Sequence, residues 1–546
     1  MSTSAGKKID TQAVDAEDHS SGSESEREAP PDAGASSAAD NSKKKKKKKK
    51  SKAARVASAL LKGDQKIPDA MVEHVLEKVK EQHPDNPEVN AEEVRKAMDM
   101  MKLMDYLKGN VAMGGQKQEA GTHKFWKTQP VPQLGEEQPQ EDGAIEPSQP
   151  PEQVRQDPYS LPGDFEWSTL DISNSTEARE VYELLSQNYV EDPAASFRFQ
   201  YSAEFLKWAL MPPGYHKEWH IGVRVKSNKK LVAFISGVPI HLRVRANLLE
   251  ASEINYLCIH KKLRSKRLAP VLIKEVTRQC HLKGIFQAIY TAGVLLPTPV
   301  STCRYFHRSL NIPKLVDVKF TYVARNSTLA RMVRAHKVPS EPQLRGLREM
   351  EEKDVEAVAE LAARYMKRFK MVPEFTLDEV RHNFLSGRGE GEILNGRREG
   401  QVVWAYVVED PKSHKITDFF SFYSLPSTIM QHPKHALLEA AYLFYYGTAT
   451  AFEEGAESSG RLKRRLLDLI GDALVIANEA RFDVLNALTL MDNHLVLADL
   501  KFGQGDGLLN FYLYNWRTSQ LEGNQALTAE QGGGQGVGRG VGVVML

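Results

Sequence analysis

Downstream of Leu161 the hydrophobic pattern switches repeatedly between alternation and helical spacing, and the succession of switches occurs twice. The first pass opens on a strand, FEWSTLDI, and runs into a helix, TEAREVYELLSQNYV; the second opens on LRGLREM and runs into KDVEAVAELAARYMKRF. Two strands follow in the first pass, KLVAFISGVPI and EINYLCIH, and then a helix, LAPVLIKEVTRQCHLKG. The second pass has VVWAYVVED, ITDFFSFYSLP and the apolar ALLEAAYLFYYG, which reads as a helix. Each pass then reaches one more strand, FQAIYTAGV or FDVLNALTL. Alternating strand and helix predicts an α/β unit. Its double occurrence predicts a tandem duplication, with halves at 162–335 and 345–546, as suits a chain of 546 residues, too long for one core. Two stretches of the second half, SGRGEGEILNGRREG and AFEEGAESSGRLKRR, read as exposed insertions.

The region before the duplication is organised differently. Residues 1–52 are rich in Ser, Ala, Asp, Glu and Lys without apolar periodicity, which predicts a disordered tail. Its unbroken Lys43–Lys50 run fits a solvated tail, electrostatic docking to RNA, ribosome or an anionic membrane, or a nuclear localisation signal, and composition does not choose among them. Residues 53–110 read as an appended helical segment, with Val72, Val75, Leu76 and Val79 on one face. Residues 111–161 are Gln-, Pro- and Glu-rich linker. One island interrupts the linker, HKFWKTQPV at 123–131, whose two aromatics predict a segment that docks on something.

Composition excludes several classes. The net charge of +2 gives no global pull toward nucleic acid, no run of 18 apolar residues suggests a membrane span, and MSTSAGKKID lacks the apolar region of a secretory signal. Ser2 stands where N-myristoylation would require glycine. Cys258, Cys280 and Cys303 do not make a disulfide framework, which points to the reducing cytoplasm. No metal-ligand spacing is present, no metal is expected, and a monomer is the default expectation.

The most informative stretch is EINYLCIHKKLRSKRLAPVLIKEV, Glu253–Val276. A strand ends near His260, a basic turn follows, and a helix opens near Leu268–Pro270, where proline suits a first turn. Free N–H groups at that helix end, beside Arg264, Lys266 and Arg267, suit a phosphate, and acetyltransferase-like folds hold the pyrophosphate of coenzyme A on such a turn. Cys258 and His260 share a strand face and invite a thiol–imidazole mechanism, against which stands a buried cysteine beside a structural histidine.

EINYLCIHK closely resembles the signature of the N-myristoyltransferases, and KFGQGDG (Lys501–Gly507) resembles their second signature. HKFWKTQPV, FRFQYSAEFLKWAL, TCRYFHRSLN, SFYSLPSTIM and FYLYNW are also similar to that family, so the resemblance spans His123 to Leu546. It implies transfer of myristoyl from myristoyl-CoA, a co-substrate and not a bound cofactor, to the α-amine of an N-terminal glycine in peptides and proteins. The implied fold is α/β: a tandem-duplicated acetyltransferase-like (GNAT-like) unit with pseudo-twofold halves, the first binding acyl-CoA and the second shaping much of the peptide site. Two rival readings remain: another CoA-dependent acyltransferase on this fold, or an inactive adaptor on ribosome or membrane, which the lysine run motivates.

The resemblance also assigns residues. The backbone N–H groups of Tyr256 and Leu257 would form the oxyanion hole; the family usually has Phe at the position of Tyr256, a tolerable exchange because the contact is through backbone. Polar donors inside a strand imply interrupted pairing, such as a bulge. Acyl-CoA would meet His123, Lys124, Phe125 and Trp126 as a lid, Tyr256, Leu257, Cys258 and Ile259 at the thioester, and Arg264, Ser265, Lys266, Arg267, Leu268 and Ala269 at the phosphates. The peptide would meet Tyr189, Asp192, Phe197, Phe199, Tyr201, Asn255, Thr291, Gly293, Tyr305, His307, Ser421, Tyr442 and Asp506. In YVEDPAASFRF only Glu191 and Asp192 stand where relatives often carry an acidic run. The apolar GVGVVML stretch, delivered by glycines, would thread the Leu546 carboxylate into the interior, where the family uses it as the base.

Overall fold

A long hairpin organises the first half: β4 (Leu231–Val244) and β5 (Asn247–Ile259) pair antiparallel from Val244↔Asn247 to Ala233↔Ile259. The two-residue turn between them places Arg245 at φ 55°, the left-handed conformation that such a turn demands. The structure is a computed structural model that describes residues 124–546 except 134, 138, 190–195, 431 and 524–538. The chain divides into Met1–Lys102 and Leu103–Leu546, and every described residue belongs to the second unit. The lysine-rich tail, the 53–110 segment, His123 and Asp192 therefore lie outside the described residues.

On the free edge of β4 lie β3 (His220–Val225) and β1 (Phe165–Thr169); on the far side of β5 lies β6 (Gln287–Ala292), the parallel neighbour. The second half repeats that order with β8 (Leu347–Glu349), β12 (Val403–Glu409), β13 (Ile416–Ser424), β16 (Ala440–Thr448) and, parallel to it, β17 (Val484–Leu488). At the centre the halves exchange strands. β18 (Gly503–Tyr514), late in the chain, pairs with β6, and β7 (Ser301–Ser309) pairs with β17, while β7 and β18 pair with each other. The result is a single sheet, β1-β3-β4-β5-β6-β18-β7-β17-β16-β13-β12-β8, whose order reads alike from either edge. This is the mixed α/β, twofold-repeated architecture expected from the sequence. β9 (Met371–Pro373) adds to β4 from the second half.

The parallel pairs require crossover helices. In the first half this is α3 (Leu268–Leu282), after α1 (Ser175–Asn188) and α2 (Ala203–Leu210). α3 buries Leu268, Leu272, Val276 and Cys280, one residue in four, against Trp219, Ile221, Val223, Val232 and Ile235. α4 (Val355–Met366) mirrors α1, and α5 (Arg461–Glu479) is the second crossover. None of the described helices is long and apolar enough to cross a membrane.

Two expectations are corrected here. ALLEAAYLFYYG is not a helix but the whole of β15 (Leu437–Leu438) and most of β16. β16 is central and covered on both faces, so its apolar run lacks the alternation that marks a half-exposed strand. AFEEGAESSGRLKRR is not wholly an exposed insertion, because α5 begins at Arg461, and Leu462 and Leu466 open its buried stripe. The charged residues between them disguised its first turn. SGRGEGEILNGRREG is the separate hairpin of β10 (Glu390–Leu394) and β11 (Arg397–Glu399), with β10 exposed throughout.

Candidate active site

The site is built around a break in β5. Phe234 pairs with Cys258 and Ser236 with Asn255, so Ile235 alone faces both Tyr256 and Leu257. This is the interruption expected there, a β-bulge. Tyr256 sits at φ 55°, a conformation a bulky residue holds only when its surroundings impose it. The opposite side of β5 is open as well: β6 pairs with it only from Ala251↔Gln287 to Ile254↔Tyr290. From Asn255 to Ile259 the backbone has β4 on one side and, among the described residues, no strand on the other.

Beyond β5 the basic turn takes the form that an anion needs. Ser265 (φ 66°) and Arg267 (φ 60°) are both left-handed, and α3 opens on Arg267 without any side-chain cap or acidic residue in its first turn. The first N–H groups of α3 are left to an outside acceptor. Arg264 donates to the carbonyl of Asn188 at the end of α1, and Lys261 N–H donates to the Asn188 side chain at 3.0 Å, which ties the turn to α1. Lys266 and Arg267 stay exposed, with no carboxylate partner among the described residues.

The linker island docks as expected. Trp126 stacks on Tyr290 of β6 (5.4 Å, 5°), and Tyr290 stacks on Tyr512 of β18 (5.1 Å, 15°), while Phe125 meets Trp126 edge-on. Val131 is buried against Ala288 and Tyr514. Trp126 thus lies over the strand β6, one strand from β5, with Phe125 beside it.

The aromatic residues singled out from the sequence do converge. Tyr256 meets Tyr201 (5.4 Å) and Tyr189 (6.1 Å); Phe199 bridges Tyr201 (5.9 Å) and Tyr442 (6.4 Å). Tyr305 acts on both Tyr189 and Tyr442. Phe197 and His307 lie further along, both edge-on to Phe320. The His307 Nδ1–H donates to Asn486 Oδ1 at 2.6 Å; burial holds the ring below its usual pKa, although Asn486 and the nearby Asp506 act the other way. Asp506 is exposed at the tip of a bulge where Gln504↔Phe306 gives way to Leu508↔Arg304. Gly505 of KFGQGDG is required here for a steric reason: a Cβ on it would lie 2.4 Å from His307 Nε2 and 2.9 Å from the Tyr305 carbonyl. Thr291 pairs with Phe511 near the end of β6, and Gly293 follows. Ser421 is sealed, its hydroxyl donating to the Tyr445 carbonyl at 2.8 Å. Tyr423, absent from the sequence-based set, stacks on Tyr442 at 5.4 Å.

Cys258 and His260 do not form a nucleophile–base pair. Burial pushes the Cys258 thiol up to about 12, and its Sγ faces the Leu184 carbonyl at 3.8 Å. His260 lies past the end of β5 and its Nδ1 accepts from Lys262 N–H at 3.3 Å.

The final residues enter this interior. Arg539 is fixed by Asp492 (3.3 Å) and Glu457 (2.6 Å), carboxylates that also bind Arg368, and the Tyr365 hydroxyl donates to the fully buried Asp492 at 2.7 Å. From there Met371 donates to the Gly540 carbonyl (2.9 Å), Gly542 to Met371 (2.8 Å), and Met491 to Val541 (2.8 Å). Val544 N–H donates to the Tyr445 hydroxyl at 3.0 Å. Val541, Val543, Val544 and Met545 are buried and Leu546 half-buried, packed on the main core. The Leu546 N–H faces the Glu253 carboxylate, which accepts from Asn255 Nδ2 at 2.6 Å. Burial pushes Glu253 up to about 7 despite both donors. Sequence reasoning overlooked Glu253, which shares its strand with Glu250 and has the polar Ser252 and Asn255 as neighbours, so no local pattern marked it.

Residues 144–303 match the family described as myristoyl-CoA:protein N-myristoyltransferase, N-terminal domain, and residues 317–544 match the C-terminal domain of the same family. Glycylpeptide N-tetradecanoyltransferase of Aspergillus fumigatus is 49% identical over 487 residues, 89% of this chain and 96% of that one. The Schizosaccharomyces pombe protein of the same name is 53% identical over 402 residues, 73% of this chain and 84% of that one. A crystal structure of Saccharomyces cerevisiae N-myristoyltransferase with bound myristoyl-CoA matches with a TM-score of 0.73 at 46% identity, over 78% of this chain and all of that chain. The chain belongs to the myristoyl-CoA:protein N-myristoyltransferase family of acyltransferases.

Proposed function

We propose that the protein transfers myristoyl from myristoyl-CoA to the α-amine of an N-terminal glycine by direct attack, with the Leu546 carboxylate as base and the Tyr256 and Leu257 N–H groups as oxyanion hole. The observation that carries this reading is the tail: buried residues Val541–Met545 bring Leu546 to Glu253 and Asn255, next to the bulge. An N-terminal amine has a pKa of about 8 and a terminal carboxyl one of about 3.5, so in water the proton transfer is uphill by roughly 6 kcal/mol. A dry site raises the acid and lowers the amine, narrowing that gap. The freed amine adds to the thioester carbonyl; each backbone donor to the resulting oxyanion is worth about 3–4 kcal/mol of barrier. Collapse breaks the C–S bond, and the thiolate leaves with the second amine proton.

The 162–335 half would hold acyl-CoA. Phosphates would sit on Arg264–Ala269 at the open end of α3, and the docked Lys124–Trp126 segment, with His123, would close over the chain. The 345–546 half would complete the peptide groove with Tyr442 and Asp506, facing Tyr189, Phe197, Phe199, Tyr201, Tyr305 and His307, whereas the sealed Ser421 would stand behind it. Electrostatic docking through Lys43–Lys50 on ribosomes or anionic surfaces rests on the charge run alone.

The test is thiol release from myristoyl-CoA with an octapeptide beginning in glycine, the same peptide beginning in alanine, and a variant extended by one residue past Leu546. Release with the glycine peptide only, weakened in the extended variant, is expected. Equal release with both peptides would refute the acceptor site, and undiminished turnover in the extended variant would refute the terminal base.

A further inference from the structure

Glu253 is a half-buried acid to which the reaction just described gives no role. It precedes the bulge on β5, opposite Val238 on β4 and Ile289 on β6. The polar groups near it are Asn255 and Tyr256 from its own strand, Tyr423 from β13, Tyr445 from β16 and Leu546 from the tail. Tyr445 is also the acceptor that holds Val544 in place. Among the described residues no Lys, Arg or His is in this set. Glu253 is half-buried, and a carboxylate drawn even partly out of water without a cation is a costly arrangement. Structural needs at this strand position would be met equally well by a neutral side chain.

The tail explains the acid. Within one residue the backbone nitrogen and the carboxyl carbon are two bonds apart, roughly 2.5 Å. A carboxylate facing the Leu546 N–H therefore lies within about 4–6 Å of the Leu546 carboxylate, close enough for each charge to raise the other's proton affinity. We propose that Glu253 is a positioning residue that acts through the terminal carboxylate, gripping the Leu546 N–H and making the Leu546 carboxylate a stronger base. This rests on the reading of Leu546 as the base. One proton leaves the glycine ammonium for the carboxyl pair, the freed lone pair adds to the thioester carbonyl to form the C–N bond, collapse breaks the C–S bond with the CoA thiolate taking the second amine proton, and the pair returns its proton to solvent after product leaves.

Glu253→Gln keeps the volume and an acceptor for Leu546 N–H but removes the charge. The expected result is an unchanged myristoyl-CoA affinity and melting temperature, kcat about tenfold lower at pH 7.5, and the acid limb of the kcat–pH profile moved about one pH unit down. Glu253→Asp should fall between. In the chain extended past Leu546, adding Glu253→Gln should bring no further loss, because the group it acts through is already displaced. An unmoved acid limb, or losses that multiply in the combined variant, would overturn the proposal. So would loss of myristoyl-CoA binding in Glu253→Gln, which would mark a structural role. If Glu253→Gln does not fold, the acid limb of Glu253→Asp decides by the same criterion. Wild-type turnover indifferent to the extension refutes the base itself; full dependence on Leu546 with an unmoved limb refutes Glu253 alone.

Discussion

Gly542→Ala tests whether catalysis depends on the docked tail. A Cβ at Gly542 would lie 2.7 Å from Val372 Cγ1 and 3.1 Å from Phe369 Cβ. Val372 belongs to β9, which is paired to β4, so the neighbours cannot retreat cheaply. Overpacking of this kind costs about 1–3 kcal/mol. The tail has little margin to absorb it. Ordering residues 539–546 costs roughly 1–2 kcal/mol each. Burial of Val541, Val543, Val544 and Met545 returns about 1.5–3 kcal/mol each, and the five hydrogen bonds to or from the tail backbone about 0.5–1.5 each. The two sides nearly cancel, so lifting the final residues is the easiest relief. At 1.36 kcal/mol per tenfold, the ratio of docked to undocked tail should fall about 5- to 150-fold. With the two sides near balance the docked fraction, and with it kcat for thiol release with a glycine peptide, would fall about 3- to 75-fold, with myristoyl-CoA affinity unchanged and melting within about 2 °C of wild type. Wild-type kcat in a stable Gly542→Ala protein would refute the dependence of the chemistry on this seat.

Two further outcomes follow from burial. Cys258, Cys280 and Cys303 are all pushed up to about 12 by burial, so an aromatic disulfide reagent at pH 8 should label none of the three in the native protein and all three in guanidinium; rapid labelling of Cys258 in the native state would revive a thiol mechanism. His220 is held neutral by burial, its pKa lowered to about 4. Its contribution to stability is present above pH 6.5 and lost as pH falls toward 4, about 2 kcal/mol by pH 5. His220→Gln should remove that part of the pH dependence in denaturant titrations at pH 7 and 5, and parallel curves for the two proteins would contradict it.

Local pattern made much of this protein legible. Period-two and helical spacing placed β1, β4, β5, β6 and β12 and the helices α1, α3 and α4, while β13 and β17, largely buried on both faces, were placed as short β-branched and aromatic runs between turn signals. The basic turn, the docking island and the apolar tail were visible because each is a chemical anomaly in its neighbourhood. β16 was misread because its two faces are equally buried, which erases periodicity, and α5 because its first turn is mostly charged. The sequence determined which residues are strand, helix, cation or apolar terminus, since those properties reside within a few neighbouring side chains. Only the tertiary structure decided that β7 and β18 change halves, that Tyr256 is held left-handed in a bulge, and that Glu253 meets a residue almost three hundred positions later. Those are encounters between distant segments, fixed by which surfaces are buried together, and no local periodicity records them.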